Sequence, residues 1–252
     1  MLQSKRPLLI FLHVQKCGGT TFRDIIEDNY NSVLHLNEWK HRAGWKVLSD
    51  FAAMTEKEQK KRTSLMEQYD AIVGHYPYGV HAMLDRPSEY ITMLREPTDR
   101  LRSLFEYWLH SHVGEKVGAN LGEFLIGNRY GWALKDNHMV RVFLGSDGFT
   151  VPYGKLTERH TQIAMENLNK CHYVGLVEDY DASLAYFARE LAWRNVAYVP
   201  KNITKHRSES PERLLVDERT RMAVEEHTKW DRVLYACAKQ RLSAELQHMH
   251  AV

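Results

Sequence analysis

Residues 11–26, FLHVQKCGGTTFRDII, place an apolar run, a cation, a glycine pair, two threonines and an amphipathic segment in direct succession. Lys16, Cys17, Gly18, Gly19, Thr20 and Thr21 thus make the turn of a strand, loop, helix unit. Such a unit suits an anion. Glycines let the backbone approach a ligand with its N–H groups turned inward, and the helix that follows offers unpaired N–H groups and the positive end of its dipole. Lys16 adds a full charge. A plain tight turn with a solvated lysine is the alternative. The lysine precedes the glycines, so the loop departs from the GxxxxGK[ST] order of the Walker A loop.

Two more apolar runs end in residues that carry chemistry. Ala71 to Gly74 leads into His75, and Tyr90 to Leu94 leads into Arg95. A base and a cation therefore stand where an Mg-nucleotide enzyme would place an acidic metal ligand. This predicts an anionic ligand met by protein cations without a metal, and a reaction in which a proton is removed. His75, with an ordinary pKa of about 6.5, suits a general base at neutral pH, although it is one of 14 histidines. Arg95 sits where open α/β sheets bind ligands, at the carboxyl end of a strand; an ion pair with Glu96 or Asp99 is the other role open to it. Ser103 falls on the helix side away from Leu101, Leu104, Phe105 and Trp108, open to a ligand or to solvent. His81, His110 and His112 show no recognisable zinc-ligand spacing with Cys17.

The elements that must hold these residues follow from periodicity. Strands are expected at Leu8 to Val14, Ala71 to Gly74, Tyr90 to Leu94, Tyr173 to Val177 and Val196 to Val199, alternating with helical segments as in βαβ units. Phe22, Ile25 and Ile26 make a helical stripe that Thr20 or Thr21 caps. Thr55 with Glu58 predicts a capping box, and Pro97 a first helical position. Leu184, Phe187, Ala188 and Leu191 form another stripe. A long terminal helix over about 216–246 buries Trp230, Leu234, Ala238 and Leu242. Residues 110–120 and 201–211 are loop candidates. The expectation is one α/β domain over 1–252, a central parallel sheet flanked by helices.

The chain has 252 residues, with 34 Lys and Arg against 32 Asp and Glu, a formal charge of +2. That balance lacks the electrostatic footprint of a nucleic-acid binder, so any anion site must be local. Cys17, Cys171 and Cys237, odd in number and widely spaced, fit neither a disulfide framework nor a metal site, which favours a reducing, cytoplasmic setting. The first apolar run is too short and wrongly flanked for a signal peptide, and no stretch approaches the 18 or more apolar residues of a membrane span.

Two segments together, FLHVQKCGGTTF (11–22) and YITMLREPTDRLRSLFEYW (90–108), resemble the nucleotide-binding segments of carbohydrate sulfotransferases. The resemblance is closest to the heparan sulfate 6-O-sulfotransferases, which carry FLHIQKTGGTTF-like and YITMLRDPVSRYLSEW-like sequences. Weaker similarity runs through Asn137 to Leu144, Asn167 to Leu191 and Leu234 to Lys239. The resemblance implies a P-loop-like sulfotransferase fold that takes 3′-phosphoadenosine 5′-phosphosulfate (PAPS) as co-substrate and passes its sulfuryl group to a hydroxyl, on a glycan acceptor. Lys16 to Thr21 would cradle the 5′-phosphosulfate, Arg95 and Ser103 would hold the 3′-phosphate, and Lys16 would neutralise the leaving phosphate. His75 would be the base on the acceptor. Asn137, His138 and Arg141 would lie near the acceptor, and Asn202 to Arg207 would close over the nucleotide.

The chain departs from that pattern at Cys17, where the family carries Thr, and at Glu96, where it commonly carries Asp. A thiol beside Lys16 and a helix N-terminus invites reactivity. The membrane anchor, the disulfides and the longer stretch after the second motif found in the animal enzymes have no counterpart here, which implies a short, bacterial-type enzyme without an anchor. A protein tyrosine O-sulfotransferase shares the donor and differs in acceptor. A P-loop nucleotide kinase is a third expectation, from a different class, and a nucleotide-binding module without activity a fourth.

Overall fold

In the computed structural model, residues 6–36, 46–111, 120–127, 131–200 and 217–251 are described. The segment Asn202 to Arg207 and most of the loop at 110–120 lie outside them. Five strands, β1 (Leu8–Leu12), β2 (Val33–Leu36), β3 (Ala71–Gly74), β4 (Ser88–Leu94) and β5 (Tyr173–Leu176), pair in one all-parallel sheet of order β2-β3-β1-β4-β5. Every residue of β1 and β3 is buried, which explains why they read as unbroken apolar runs; a parallel strand covered on both faces has no polar side to show.

The helices are α1 (Gly19–Asn29), α2 (Val47–Ala52), α3 (Glu56–Met66), α4 (Pro97–Leu109), α5 (Trp132–Lys135), α6 (His138–Phe143), α7 (Glu158–Asn169), α8 (Tyr180–Leu191) and α9 (Glu218–Ala251). Thr55 and Glu58 form the expected capping box on α3. Pro97 opens α4, where the Glu96 side chain accepts the Asp99 N–H at 2.8 Å. α1 starts differently from expectation. Its N-cap is Gly18, at φ 69°, with no side-chain cap, and both threonines lie inside the first turn. Glycine takes the left-handed cap conformation without strain and leaves the first N–H groups uncovered.

Two strand expectations change. Val196 to Val199 is irregular: Asn29 Oδ1 accepts the N–H groups of Arg194 and Asn195, tying the segment to the end of α1, and Val199 is 79% exposed. The edge strand β2 was not foreseen, because half-exposed VLHL with a histidine inside lacks an apolar run. On α9, Leu234, Ala238 and Leu242 are buried as expected; Trp230 is half-buried and donates its indole N–H to Leu156 O at 3.1 Å.

Strand order decides where a ligand can enter. From β1 the chain moves to the β2 edge and returns through β3; it then passes beyond β1 to β4 and on to β5. The connections after β1 and β4 diverge, opening a crevice at the carboxyl ends of these neighbours. Register fixes what meets there. Leu12 is level with Gly74 on one side and Thr92 on the other, so one step further sets His13 beside His75, and three steps set Gln15 level with Arg95.

Candidate functional site

The loop after β1 runs over that crevice. Lys16 is in the left-handed region at φ 67°, unusual for a residue with a Cβ, and Gly18 follows at φ 69°. Single residues held there cost free energy and persist where the surroundings impose them. A Cβ on Gly18 would stand 3.2 Å from the Tyr180 ring, and one on Gly19 only 2.0 Å from His13 Nε2. The glycine pair is thus required by α8 on one side and by a histidine on the other.

Three cations gather at the loop. Arg95 Nη1 donates to Lys16 O at 3.5 Å, bridging the crevice between β4 and β1. The Lys16 ammonium lies 4.1 Å from the centroid of the exposed Tyr107 ring on α4. Burial, and then the charge of Arg95, bring its pKa down to about 8. Arg100, in the first turns of α4, is 1% exposed and adds a further push on Lys16. Buried Arg95 Nε, Arg100 Nε and Arg100 Nη1 have no hydrogen-bond partner among the described residues, and neither do Arg23 Nε and Trp193 Nε1. Nearly all buried N–H groups in proteins are paired, so three unspent donors on two neighbouring cations are unusual.

Beside this cationic loop stands a pair of histidines. His13 and His75 rings lie 3.9 Å apart, and Phe11 stacks on the other side of His13 at 5.1 Å. His75 Nδ1 is 2.8 Å from His13 O. A carbonyl only accepts, so Nδ1 carries the proton and Nε2 is the basic nitrogen of the ring. Burial pulls His75 down to about pKa 4 and His13 well below its ordinary value, so both are neutral at pH 7. His13 was not singled out from the sequence. Its signal was there: it follows the strand by one residue in FLHVQK, as His75 follows β3.

Other expected site residues are placed less directly. Thr20 is half-buried and Thr21 buried in the first turn of α1. Ser103 is 7% exposed on α4, two turns after Arg95, so it is not the surface position its place on the helix suggested. Cys17 is buried, and that burial pushes its thiol up to about pKa 12. The expected reactive thiolate is therefore corrected: desolvation outweighs the nearby cations. Cys17, Cys171 and Cys237 are all unpaired.

Asn137, His138 and Arg141 are buried to 2%, 1% and 0% exposure and committed to the protein itself. Asn137 Oδ1 accepts from Trp230 and Asp231 N–H, and its Nδ2 donates to Glu226 O, splicing α6 into α9. His138 donates Nδ1–H to Ala133 O, and its Nε2, then an acceptor, meets the side-chain amide of Gln15, tying α6 to the loop residue next to Lys16. Arg141 pairs with Asp136 and reaches three further carbonyls. His138 thus backs the loop, while Asn137 and Arg141 tie α6 to α9 and to residues 148–152.

The end of β5 leads to an acid that the strand-end comparison had left out. Glu178 Oε1 accepts Glu96 N–H at 2.9 Å and its Oε2 accepts the Tyr235 hydroxyl at 2.7 Å, so it holds the start of α4 to α9. Among the described residues no helix is long and apolar enough to cross a membrane. Compared with known proteins, the chain matches no family model and no curated sequence.

Proposed function

We propose that the protein is a sulfotransferase that moves the sulfuryl group of PAPS to an acceptor hydroxyl on a carbohydrate. The observation that carries this reading is the crevice between β1 and β4, where Lys16, Arg95 and Arg100 gather around a glycine loop with three buried N–H groups unspent, while neutral His75 presents Nε2 nearby. The resemblance of residues 11–22 and 90–108 to the sulfotransferase segments supplies the donor. The site fits that donor: the glycine cradle and orphaned N–H groups ask for anionic oxygens, and PAPS carries them at both its 5′ and 3′ ends.

In this mechanism the acceptor oxygen attacks sulfur in line, and the bond between sulfur and the bridging 5′-phosphate oxygen breaks. The bonding electron pair leaves on that phosphate oxygen, and the acceptor proton passes to His75 Nε2. Lys16 and the N–H groups of the loop and α1 stabilise charge on the leaving phosphate. Arg95 and Ser103 hold the 3′-phosphate, which selects this nucleotide over its unphosphorylated relatives. A bound donor brings negative charge beside His75 and raises its basicity above the ligand-free value, bringing the base nearer the working pH. Gln15 and His138 keep the loop registered on α6. A single domain carries the whole site, and its acceptor binds on the His75 side of the crevice.

Calorimetric titration with 3′-phosphoadenosine 5′-phosphate (PAP) and with ADP, each with and without Mg²⁺, tests the donor. PAP is expected to bind with the same affinity whether or not Mg²⁺ is present and to exceed ADP, with Arg95→Ala weakening PAP about tenfold or more. A preference for Mg-ADP would turn the assignment toward a nucleotide kinase. His75→Ala tests the base: it should retain PAP binding and lose sulfuryl transfer to oligosaccharide acceptors.

A further inference from the structure

Within the proposed donor site, one side chain has no assigned part in the transfer. Arg100 lies at the flank of the apolar stripe of α4, one turn before Leu104, with its guanidinium almost wholly enclosed at 1% exposure. It makes one hydrogen bond, Nη2 to Leu134 O at 2.8 Å, and its Nε and Nη1 are buried without partners. Asp231, itself 1% exposed, is the carboxylate that acts on it most, through space and with its oxygens bonded elsewhere. Asp231 accepts the Val140 N–H at 2.8 Å and the Met139 N–H at 3.2 Å, and Glu106 pairs with Arg102 at 3.5 Å.

We infer that Arg100 is the floor of the anion seat, a buried cation whose two unspent donors back the loop that draws a phosphate-type anion. The inference rests on the reading of this loop as an anion site, not on the identity of the nucleotide. A desolvated cation close behind a loop acts on a ligand through little solvent, so its field is screened far less than that of a surface lysine. Its bond places it there: Leu134 follows Ala133, whose carbonyl holds His138, and His138 meets the Gln15 side chain beside Lys16. Its charge in turn weighs on the Cys17 thiol and on Lys16.

An arginine retained only to hold the fold would be stabilising where it stands. An arginine retained for a ligand carries donors that the fold does not use, so a lysine in its place keeps the charge beside Asp231 and loses the fork that an anion would bind. Arg100→Met and Arg100→Lys separate the two roles, by thermal unfolding without ligand and by calorimetry with inorganic pyrophosphate, PAP and ADP. Arg100→Lys is expected to unfold close to the wild-type temperature yet to bind pyrophosphate several-fold more weakly, and Arg100→Met to bind it about tenfold or more weakly. A clear fall in unfolding temperature for Arg100→Lys, pyrophosphate affinity equal to wild type in both variants, or a wild-type protein that fails to bind pyrophosphate would each overturn the inference. A wild-type preference for ADP over PAP, with the Arg100 effects intact, would instead overturn the sulfotransferase reading alone.

Discussion

Arg100 and Arg141 are both wholly buried arginines, and they are treated in opposite ways. Arg141 spends its guanidinium fully: Nε on Asp136 O, Nη1 on Gly148 O and Val151 O, Nη2 on the Asp136 carboxylate and Pro152 O, with the Trp132 ring 4.6 Å from Cζ. Arg100 makes one bond and leaves two donors idle. The first is a buried charge surrounded by acceptors, which fixes a unique path for residues 136–152. The second has the charge of Asp231 near it and no acceptor on two of its donors. The same residue type at the same depth therefore serves the fold in one place and a ligand in the other, and hydrogen-bond satisfaction tells them apart.

The largest expected effect comes from breaking the satisfied partner of this pair. Arg141→Met strands the Asp136 carboxylate, 2% exposed, along with four carbonyl oxygens. A loss of about 3–5 kcal/mol in urea unfolding is expected, as for the removal of one partner of a buried ion pair. The same change at Arg100 should cost clearly less, since it strands one carbonyl and leaves Asp231 its two N–H donors. If both variants lose stability alike, the contrast between the two arginines disappears.

Acid should separate the regions next. The unfolded chain takes up protons on histidine at a pKa of about 6.5. In the folded chain burial holds His75 down to about 4, holds His13 and His138 well below their ordinary value, and lowers His81 and His227. Between those values the unfolded state binds more protons, so the histidines' contribution to stability is full above about pH 6.5 and is lost as pH falls toward 4. Asp231, raised by burial to about 6, works in the opposite sense and cancels one proton. A net loss of about 3 kcal/mol per pH unit or more is expected below pH 6, read from denaturant midpoints across pH. His75→Asn should make that slope shallower, and an unchanged slope would take His75 out of this account.

The glycine pair gives a smaller, more local test. Ala at position 19 would put Cβ 2.0 Å from His13 Nε2, so the His13 ring must leave its place between Phe11 and His75. Overpacking of this kind costs about 1–3 kcal/mol. Transfer should fall further than stability does, because the His75 tautomer depends on His13 O. Loss of stability with turnover intact would detach the histidine pair from the chemistry.

Much of this arrangement was written in the sequence, for a physical reason. β1, β3 and β4 sit in the interior of a parallel sheet, where burial demands apolar runs, and the residues after them, Lys16, His75 and Arg95, inherit their places from those runs. β2 was invisible because an edge strand needs no such run. Arg100 went unremarked, and the burial of Ser103 could not be read, because helical periodicity locates a side chain on one helix and says nothing of what packs on its other faces; Leu134, which meets Arg100, arrives from far along the chain. The DNHMVR segment drew attention for its polar residues, yet Asn137 and Arg141 are polar because a buried helix junction needs donors and acceptors as much as a ligand does.

The smallest effect concerns the one cation of the loop that has found a temporary partner. Lys16 rests over the Tyr107 ring at 4.1 Å, a ring 57% exposed that makes no demand on the core. A cation–π contact at such a site is worth about 0.5–1 kcal/mol. An anion that pulls the ammonium into the loop forfeits that contact, so the ring stabilises the ligand-free state alone. Tyr107→Leu should then tighten pyrophosphate binding by about two- to fivefold, opposite in sign to Arg95→Ala and Arg100→Met. Unchanged affinity in Tyr107→Leu would mean that Lys16 keeps its place on the ring when the anion binds, and that Arg95, Arg100 and the N–H groups of the loop hold it without the lysine.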